Sequence, residues 1–140
     1  MTPHHHPSAG QLTKNQSLVL ETLSEANIPL SAYTILDNLR SHGLRAPLQV
    51  YRALEKLILA GHVHRLESLN SFVACQHSNC DQNKTVAFTI CNSCDHVNEV
   101  SDPELSSRLN NLADGHSFQL QHSVVELRGV CQDCTVPRTA

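Results

Sequence analysis

The stretch PLQVYRALEKLILAG, Pro47 to Gly61, decides the architecture of the first half of this chain. Its apolar residues recur at the spacing of a single helix face, namely Val50, Ala53, Leu54 and Leu57. Pro47 suits the first turn of a helix, and Gly61 suits the position just past its end. The pattern therefore predicts a helix that begins at Pro47, ends before Gly61 and buries one face in a core.

The opposite face of this helix carries polar and aromatic side chains. At ~100° per residue, Arg52 lies about 200° from Val50 and so points away from the core. Gln49 and Tyr51 flank Arg52 in the sequence. The outer face is therefore equipped to meet a polar partner.

Two helices precede this stretch and a hairpin follows it. Thr13 with Gln16 three residues later is typical of a capping box, and an apolar stripe follows at Val19, Leu20, Leu23 and Ala26. Ser31 can cap a second helix, which ends near His42-Gly43. Short strands near residues 62–66 and 71–75 complete the unit. Three helices followed by a β-wing predict a winged helix-turn-helix.

The second half of the chain is marked by two Cys-x-x-Cys pairs, Cys91/Cys94 and Cys131/Cys134. Two residues between cysteines form a tight turn that aims both sulfurs at one point, and two such turns complete a tetrahedral structural zinc site. A disulfide pair would need an oxidising compartment, and a thioredoxin-like redox motif normally uses one pair. We therefore predict one structural zinc held by four thiolates.

Around these pairs the pattern predicts a small α/β unit. A period-two strand runs through Val86, Phe88 and Ile90, and a second strand carries Val97 and Glu99. A helix opens at Asp102-Pro103, and a longer strand spans residues 118–127. The core of such a unit is marginal, so a structural zinc and a partner subunit are expected to stabilise it. The fold class is α+β, a winged helix followed by a small α/β domain.

Composition excludes several classes of protein. The chain has 140 residues, 40% of them hydrophobic, and no apolar run near the ~18 residues of a membrane span. The first ten residues carry His4, His5 and His6 but no apolar segment typical of a secretory signal, so we expect a disordered tail and a cytoplasmic protein. The formal charge is −3, and Lys and Arg barely exceed Asp and Glu in the first half. Charge alone does not suggest DNA binding.

Five segments together resemble the Fur superfamily of metal-dependent repressors: residues 12–16, 50–54, 61–65 and the two Cys-x-x-Cys pairs. The segments 31–33, 64–68, 70–75 and 122–126 are most similar to its zinc uptake regulator (Zur) branch. The resemblance implies a homodimer that represses zinc-uptake genes when zinc is bound. It also implies a winged helix that reads AT-rich palindromic operator DNA, and no small-molecule substrate or membrane partner.

The resemblance also assigns the DNA contacts. Arg52 can donate to guanine or to a phosphate, and Tyr51 can pack on a thymine methyl group. Tyr33 would contact DNA from the preceding helix, by its similarity to the Zur position. Gln49 is a further candidate for a backbone contact. Because the chain is only weakly basic, we expect metal-controlled geometry to supply part of the specificity.

A second, regulatory zinc site is implied by the same resemblance. Its ligands would be His64 and Cys75 from the wing, Glu99 from the second half, and one residue of the loop after Cys75. That loop departs from the His-rich family pattern, and either Cys80 or His77 would be the loop ligand. Imidazole, thiolate and carboxylate ligands together suit zinc. His96, His116 and His122 are candidates for a third, weaker site.

The expected domains are a disordered tail over 1–11, a winged-helix DNA-binding domain over 12–75, a hinge and metal loop over 76–84, a dimerisation and metal-binding domain over 85–135, and a tail over 136–140. Within the family, an iron or peroxide sensor is the alternative function. From other classes, a Cys-x-x-Cys thiol oxidoreductase and a zinc-storage protein compete. No Gly-rich phosphate loop, nucleophile elbow or His-Glu-x-x-His element favours another enzyme.

Overall fold

The computed structural model describes residues 12–76 and 85–135. The chain divides into two compact units, one ending at residue 80 and the other beginning at residue 81. The tails predicted over 1–11 and 136–140, and all but the first residue of the predicted metal loop, lie outside the described residues. In the part of the chain that is described, no helix has the length and apolar character to cross a membrane.

The first unit consists of three helices and a two-stranded hairpin. In chain order its elements are α1 (Lys14–Glu25), α2 (Ala32–Leu39), a 3-10 turn (Arg40–His42), α3 (Pro47–Leu59), β1 (Val63–Leu66), a second 3-10 turn (Glu67–Leu69) and β2 (Ser71–Ala74). The hairpin is antiparallel, with Val63 opposite Ala74 and Leu66 opposite Ser71. The predicted order of three helices and a wing is confirmed.

The helices begin where polar side chains can satisfy free backbone N–H groups. Thr13 Oγ1 accepts a hydrogen bond from the Gln16 amide, and Gln16 Oε1 accepts one from the Thr13 amide, each at 3.2 Å. The predicted capping box is therefore present. Ser31 Oγ likewise accepts from the Thr34 amide at 3.2 Å and starts α2.

The apolar stripes of the three helices meet in one core. Its members come from all three helices, the segments between them and the hairpin: Val19, Leu23, Leu30, Ala32, Ile35, Leu36, Leu39, Leu44, Val50, Ala53, Leu54, Leu57, Val63 and Phe72. The wing is tied to this core through Leu30, whose amide donates to the Phe72 carbonyl at 3.0 Å while the Phe72 amide donates back at 2.8 Å. The hairpin is therefore joined to the segment that precedes α2.

The second unit is a three-stranded sheet with one helix. Its elements are β3 (Val86–Cys91), β4 (Val97–Val100), α4 (Pro103–Gly115) and β5 (Val124–Gly129). The strand order is β4-β3-β5, with β3 antiparallel to β4 and parallel to β5. Buried apolar residues lie on β3 and at the start of β4, whereas α4 contains no buried residue. The core of this unit is consequently thin.

The prediction of a strand from residue 118 is wrong for its first six residues. β5 begins at Val124, which pairs with Val86, the first residue of β3. The ladder between β3 and β5 begins at this pair, although the Ser123 carbonyl still accepts from the Val86 amide at 3.2 Å. Phe118 instead donates its amide to the Ala113 carbonyl at 2.9 Å and closes the end of α4. β5 therefore has the same length as its partner, 6 residues, and it ends at Gly129 rather than at residue 127.

Candidate metal centres and nucleic-acid interface

The two Cys-x-x-Cys pairs sit on turns at the same end of the sheet in the second unit. Cys91 is the last residue of β3, and its carbonyl accepts from the Asp95 amide at 3.0 Å. Past the end of β5, the Cys131 carbonyl accepts from the Cys134 and Thr135 amides at 3.1 and 2.9 Å. The Asn92 amide also donates to the Gly129 carbonyl at 2.8 Å and fixes one turn to the other. The parallel pairing of β3 and β5 thus brings both turns together.

The four thiol groups converge as the ligands of a tetrahedrally coordinated cation must. All four Sγ atoms lie within 4.8 Å of one another, and the Sγ atoms of Cys94 and Cys131 are 3.7 Å apart. Tetrahedral zinc with Zn–S bonds of ~2.3 Å places its sulfur ligands about 3.8 Å from each other. Cys91, Cys94, Cys131 and Cys134 therefore fit a closed zinc site.

The pKa values of these thiols also favour the binding of a cation among them. The Cys131 amide donates to Cys91 Sγ at 3.3 Å and, with the amides of Cys94 and Ser93, lowers the pKa of the Cys91 thiol to about 6. Hydrogen bonds with the sulfurs of Cys131, Cys94 and Cys91 raise the pKa of the Cys134 thiol to about 12. Four thiolates this close repel one another, so a divalent cation is needed to hold them all in the charged form.

Two of the residues predicted for the regulatory site lie together in the wing of the first unit. His64 is on β1 opposite Val73, and Cys75 follows two residues after Val73. Residues placed diagonally on one face of a hairpin are neighbours. The ligand atoms of His64 and Cys75 are within 4.8 Å of each other, and both residues are half-buried. The wing thus presents an imidazole and a sulfur on one face.

The other residues proposed for metal binding are distributed elsewhere. Glu99 is half-buried on β4 in the second unit, opposite Phe88 of β3. Cys80 and His77 lie outside the described residues. His96, His116 and His122 are exposed, and no group of three or more metal-ligating residues within 12–76 and 85–135 includes them. A third site therefore gains no support from the described part of the chain.

The residues predicted to contact DNA all lie on the helix-turn-helix of the first unit. Tyr33 is in the first turn of α2 and is 63% exposed, while Tyr51 and Arg52 are exposed on α3. α2 and α3 are joined through Gly43, whose φ of +102° suits a glycine, and through the buried Leu44. This linker leaves the outer face of α3 open to solvent.

Gln49 has a second role that the sequence pattern does not reveal. Its Oε1 accepts from the Arg45 amide at 2.8 Å and from the Ala46 amide at 3.1 Å. Ala46 precedes α3 and offers no side-chain acceptor, so Gln49 satisfies the free N–H groups there. Only the amide nitrogen of Gln49 is left for a DNA contact, and the predicted contact stays a prediction.

Leu48 is absent from the residues that the sequence pattern predicts for DNA binding. It lies in the first turn of α3 and is 57% exposed. The signal that could have found it is its spacing, since Leu48 stands three and four residues before Tyr51 and Arg52. An exposed leucine at this position therefore shares a helix face with both.

Comparison with known proteins settles the family. The model of the ferric uptake regulator family matches residues 8–128 of this chain. The chain belongs to the ferric uptake regulator family. The resemblance deduced from the sequence is thereby confirmed, together with the α+β fold of a helical N-terminal domain and a C-terminal α/β domain.

Several similar proteins of the ferric uptake regulator family are zinc uptake regulators. The chain is 38% identical over 125 residues to the zinc uptake regulation protein of Escherichia coli (strain K12), covering 89% of this chain and 72% of that protein. The crystal structure of holo XcZur superimposes with a TM-score of 0.82 at 40% identity, over 89% of this chain and 86% of the other. A zinc uptake regulator complexed with zinc and DNA gives a TM-score of 0.82 at 36% identity, over 88% and 82% of the two chains.

Proposed function

We propose that this chain is a zinc-responsive transcriptional repressor that binds AT-rich palindromic operators of zinc-uptake genes as a homodimer in the cytoplasm. The observation that carries the proposal is the combination, in one Fur-family chain, of an exposed α3 face and a set of converging thiols. The likeness to a zinc uptake regulator bound to zinc and DNA supports the same conclusion. We propose no catalytic role and no small-molecule substrate.

The structural zinc is proposed at Cys91, Cys94, Cys131 and Cys134. Their sulfur spacing, 3.7 Å between Cys94 and Cys131, matches a tetrahedral zinc site. The backbone hydrogen bonds that hold both turns help to orient the sulfurs toward one point. When bound, zinc would supply the positive charge that allows all four sulfurs to be thiolates.

The regulatory zinc is proposed at His64, Cys75, Glu99 and either Cys80 or His77. His64 and Cys75 contribute to it from the wing of the first unit, and their ligand atoms are already within 4.8 Å. Glu99 belongs to the second unit. Ligands drawn from both units would couple zinc occupancy to the orientation of the winged helix. A preference of ~10⁴-fold for the DNA-competent arrangement would shift the equilibrium almost fully.

Dimerisation is proposed through the second unit. In the strand order β4-β3-β5, β5 forms one edge of the sheet. Large apolar residues of this unit remain exposed in the single chain: Val124 and Leu127 on β5, Val130 just after it, and Leu112 and Phe118 on and just after α4. Exposed apolar surface of this kind around a sheet edge marks an interaction surface. A second copy of the chain would cover it.

The test of the regulatory site is DNA binding measured against free zinc, with zinc per chain determined in parallel. We expect one zinc to survive mild chelation and DNA affinity to rise with the second. The double variant His64→Ala/Cys75→Ala should retain the first zinc and bind DNA weakly at every zinc concentration. His42→Ala, an exposed histidine of the same unit, serves as the matched control. Full DNA binding with a single zinc per chain would remove the proposed regulatory site.

The same assay separates a repressor from the competing functions. Arg52→Ala should lose ~1–3 kcal/mol of operator binding, because an outward Arg contributes a direct contact. Arg52→Lys keeps the charge but not the forked geometry, and should recover part of the loss. If the chain only stored zinc, neither Arg52 substitution would change what the protein does, because storage does not depend on the outer face of α3. A thiol oxidoreductase would lose activity as zinc occupied its cysteines.

A further inference from the structure

We propose that Leu48 determines specificity by contacting the C5-methyl group of a thymine in the major groove of the operator. This inference rests on the proposed DNA-binding function and assigns one further residue to it. It is carried by the position of Leu48 on α3, by its exposure and by the apolar character of its side chain.

The outer face of α3 forms a continuous strip. At ~100° per residue, five exposed side chains fall within an arc of about 100°: Leu48, Tyr51, Arg52, Glu55 and Leu59. The two residues already proposed to contact DNA, Tyr51 and Arg52, lie inside this arc. Leu48 occupies its N-terminal end. A helix that presents Tyr51 and Arg52 to a groove therefore presents Leu48 to the same groove.

Leu48 is not explained by packing within the first unit. It is 57% exposed, and it belongs neither to the buried core cluster nor to the partly buried residues that pack against it. Its neighbours in that first turn are fixed, since Pro47 begins the helix and Gln49 accepts two backbone hydrogen bonds. The leucine is thus an apolar group held in place and facing solvent.

The chemistry of the groove then identifies the contact. In helix-turn-helix proteins, the N-terminal residues of the recognition helix contact base edges. A leucine can neither donate nor accept a hydrogen bond, and the apolar group on the base edges of the major groove is the thymine methyl. Burial of a single methyl group improves affinity by about fourfold. We therefore expect Leu48 to favour thymine at one position of each half-site.

The experiment deletes that methyl group alone. A duplex is first selected from a randomised pool by zinc-loaded protein, and each thymine of one half-site is then replaced by deoxyuridine. For the native chain we expect a threefold to fivefold loss of affinity at one thymine. Leu48→Ala should bind thymine and deoxyuridine equally there, whereas Leu48→Met, which keeps an apolar side chain of similar reach, should retain most of the discrimination.

Leu59→Ala is the matched control. Leu59 lies on the same strip and is 60% exposed, but it is about 16 Å from Leu48 along the helix axis. It should leave the sensitivity to deoxyuridine unchanged. Thermal unfolding of all variants checks that the fold is intact, as expected for substitutions at exposed helix positions.

The outcomes separate this inference from the function on which it rests. If no duplex is bound in a zinc-dependent manner, the proposed function fails, and the role of Leu48 fails with it. If DNA is bound but Leu48→Ala keeps the full deoxyuridine loss at every thymine, only the role of Leu48 is overturned. A loss that disappears in Tyr51→Ala and persists in Leu48→Ala would assign the methyl contact to Tyr51 instead.

Discussion

The two units of this chain bury their apolar residues very differently. In the first unit, fourteen apolar residues from three helices, their connections and the hairpin form one core. In the described part of the second unit, the buried residues are Ala87, Phe88, Ile90, Cys91 and Val97, all on β3 and β4. Its single helix contributes none. The first unit is thus built to be stable by itself, and the second relies on groups outside its own core.

Exposed apolar residues have a correspondingly different meaning in each unit. On α3 of the first unit they form a strip beside Arg52, where a nucleic acid is the proposed partner. In the second unit they include Val124 and Leu127 on β5, at the edge of the sheet, where a second chain is the proposed partner. A unit with a complete core can use exposed apolar groups for recognition, whereas a unit with an incomplete core needs them for its own stability.

Loss of the structural zinc should have the largest effect and should be confined to the second unit. In Cys94→Ser one of the four thiolates is removed, and metal binding in such small domains contributes directly to folding. We expect β3 and β4 to lose protection against amide hydrogen exchange while α1 to α3 keep theirs. Mass spectrometry of peptides from each unit measures both in one experiment.

The control for this variant lies in the same turn. Ser93→Ala keeps the backbone amide that donates to Cys91 Sγ at 3.4 Å and removes only an exposed hydroxyl group. The zinc content and the amide hydrogen exchange of this variant should match those of the native chain. Undiminished protection of β3 in a zinc-free Cys94→Ser protein would show that the second unit needs no metal to fold.

A cavity in the first unit should have the next largest effect. Leu57 is fully buried, and Leu57→Ala should reduce the free energy of unfolding of this unit by about 2–5 kcal/mol. Leu59→Ala, two residues further along α3 and largely exposed, should change it by less than about 0.5 kcal/mol. Urea denaturation followed by helical circular dichroism measures both. If zinc per chain also falls in Leu57→Ala, the two units do not fold independently.

The sequence predicted the first unit more fully than the second, and for a physical reason. Helix caps and apolar stripes are local, so Thr13 with Gln16, and Val50 with Leu57, identify α1 and α3 without knowledge of the rest of the fold. The start of β5 is set by its parallel partner, which local alternation cannot reveal. The predicted strand from residue 118 therefore began too early.

The candidate sites follow the same division. The spacing of Cys91 and Cys94 is a local feature, and it predicts that their two sulfurs point toward one metal ion. The approach of Cys131 to them depends on the pairing of β3 with β5, which the spacing does not reveal. The use of the Gln49 oxygen in the start of α3 could not be read from the sequence, because its partners are backbone amides. Leu48 was missed because an exposed leucine carries no chemical signature of its own.

Truncation of the exposed apolar surface in the second unit should have the smallest effect per chain. Leu127 is 56% exposed in the single chain, so a partner subunit can bury only about half of it, worth about 1 kcal/mol per chain. Two copies meet in a dimer, and Leu127→Ala should raise the dissociation constant of the dimer by roughly thirtyfold. Sedimentation equilibrium measures this directly. Leu59→Ala, an equally exposed leucine on the first unit, should dimerise as the native chain does, and equal dimer stability in both variants would move the pairing surface away from β5.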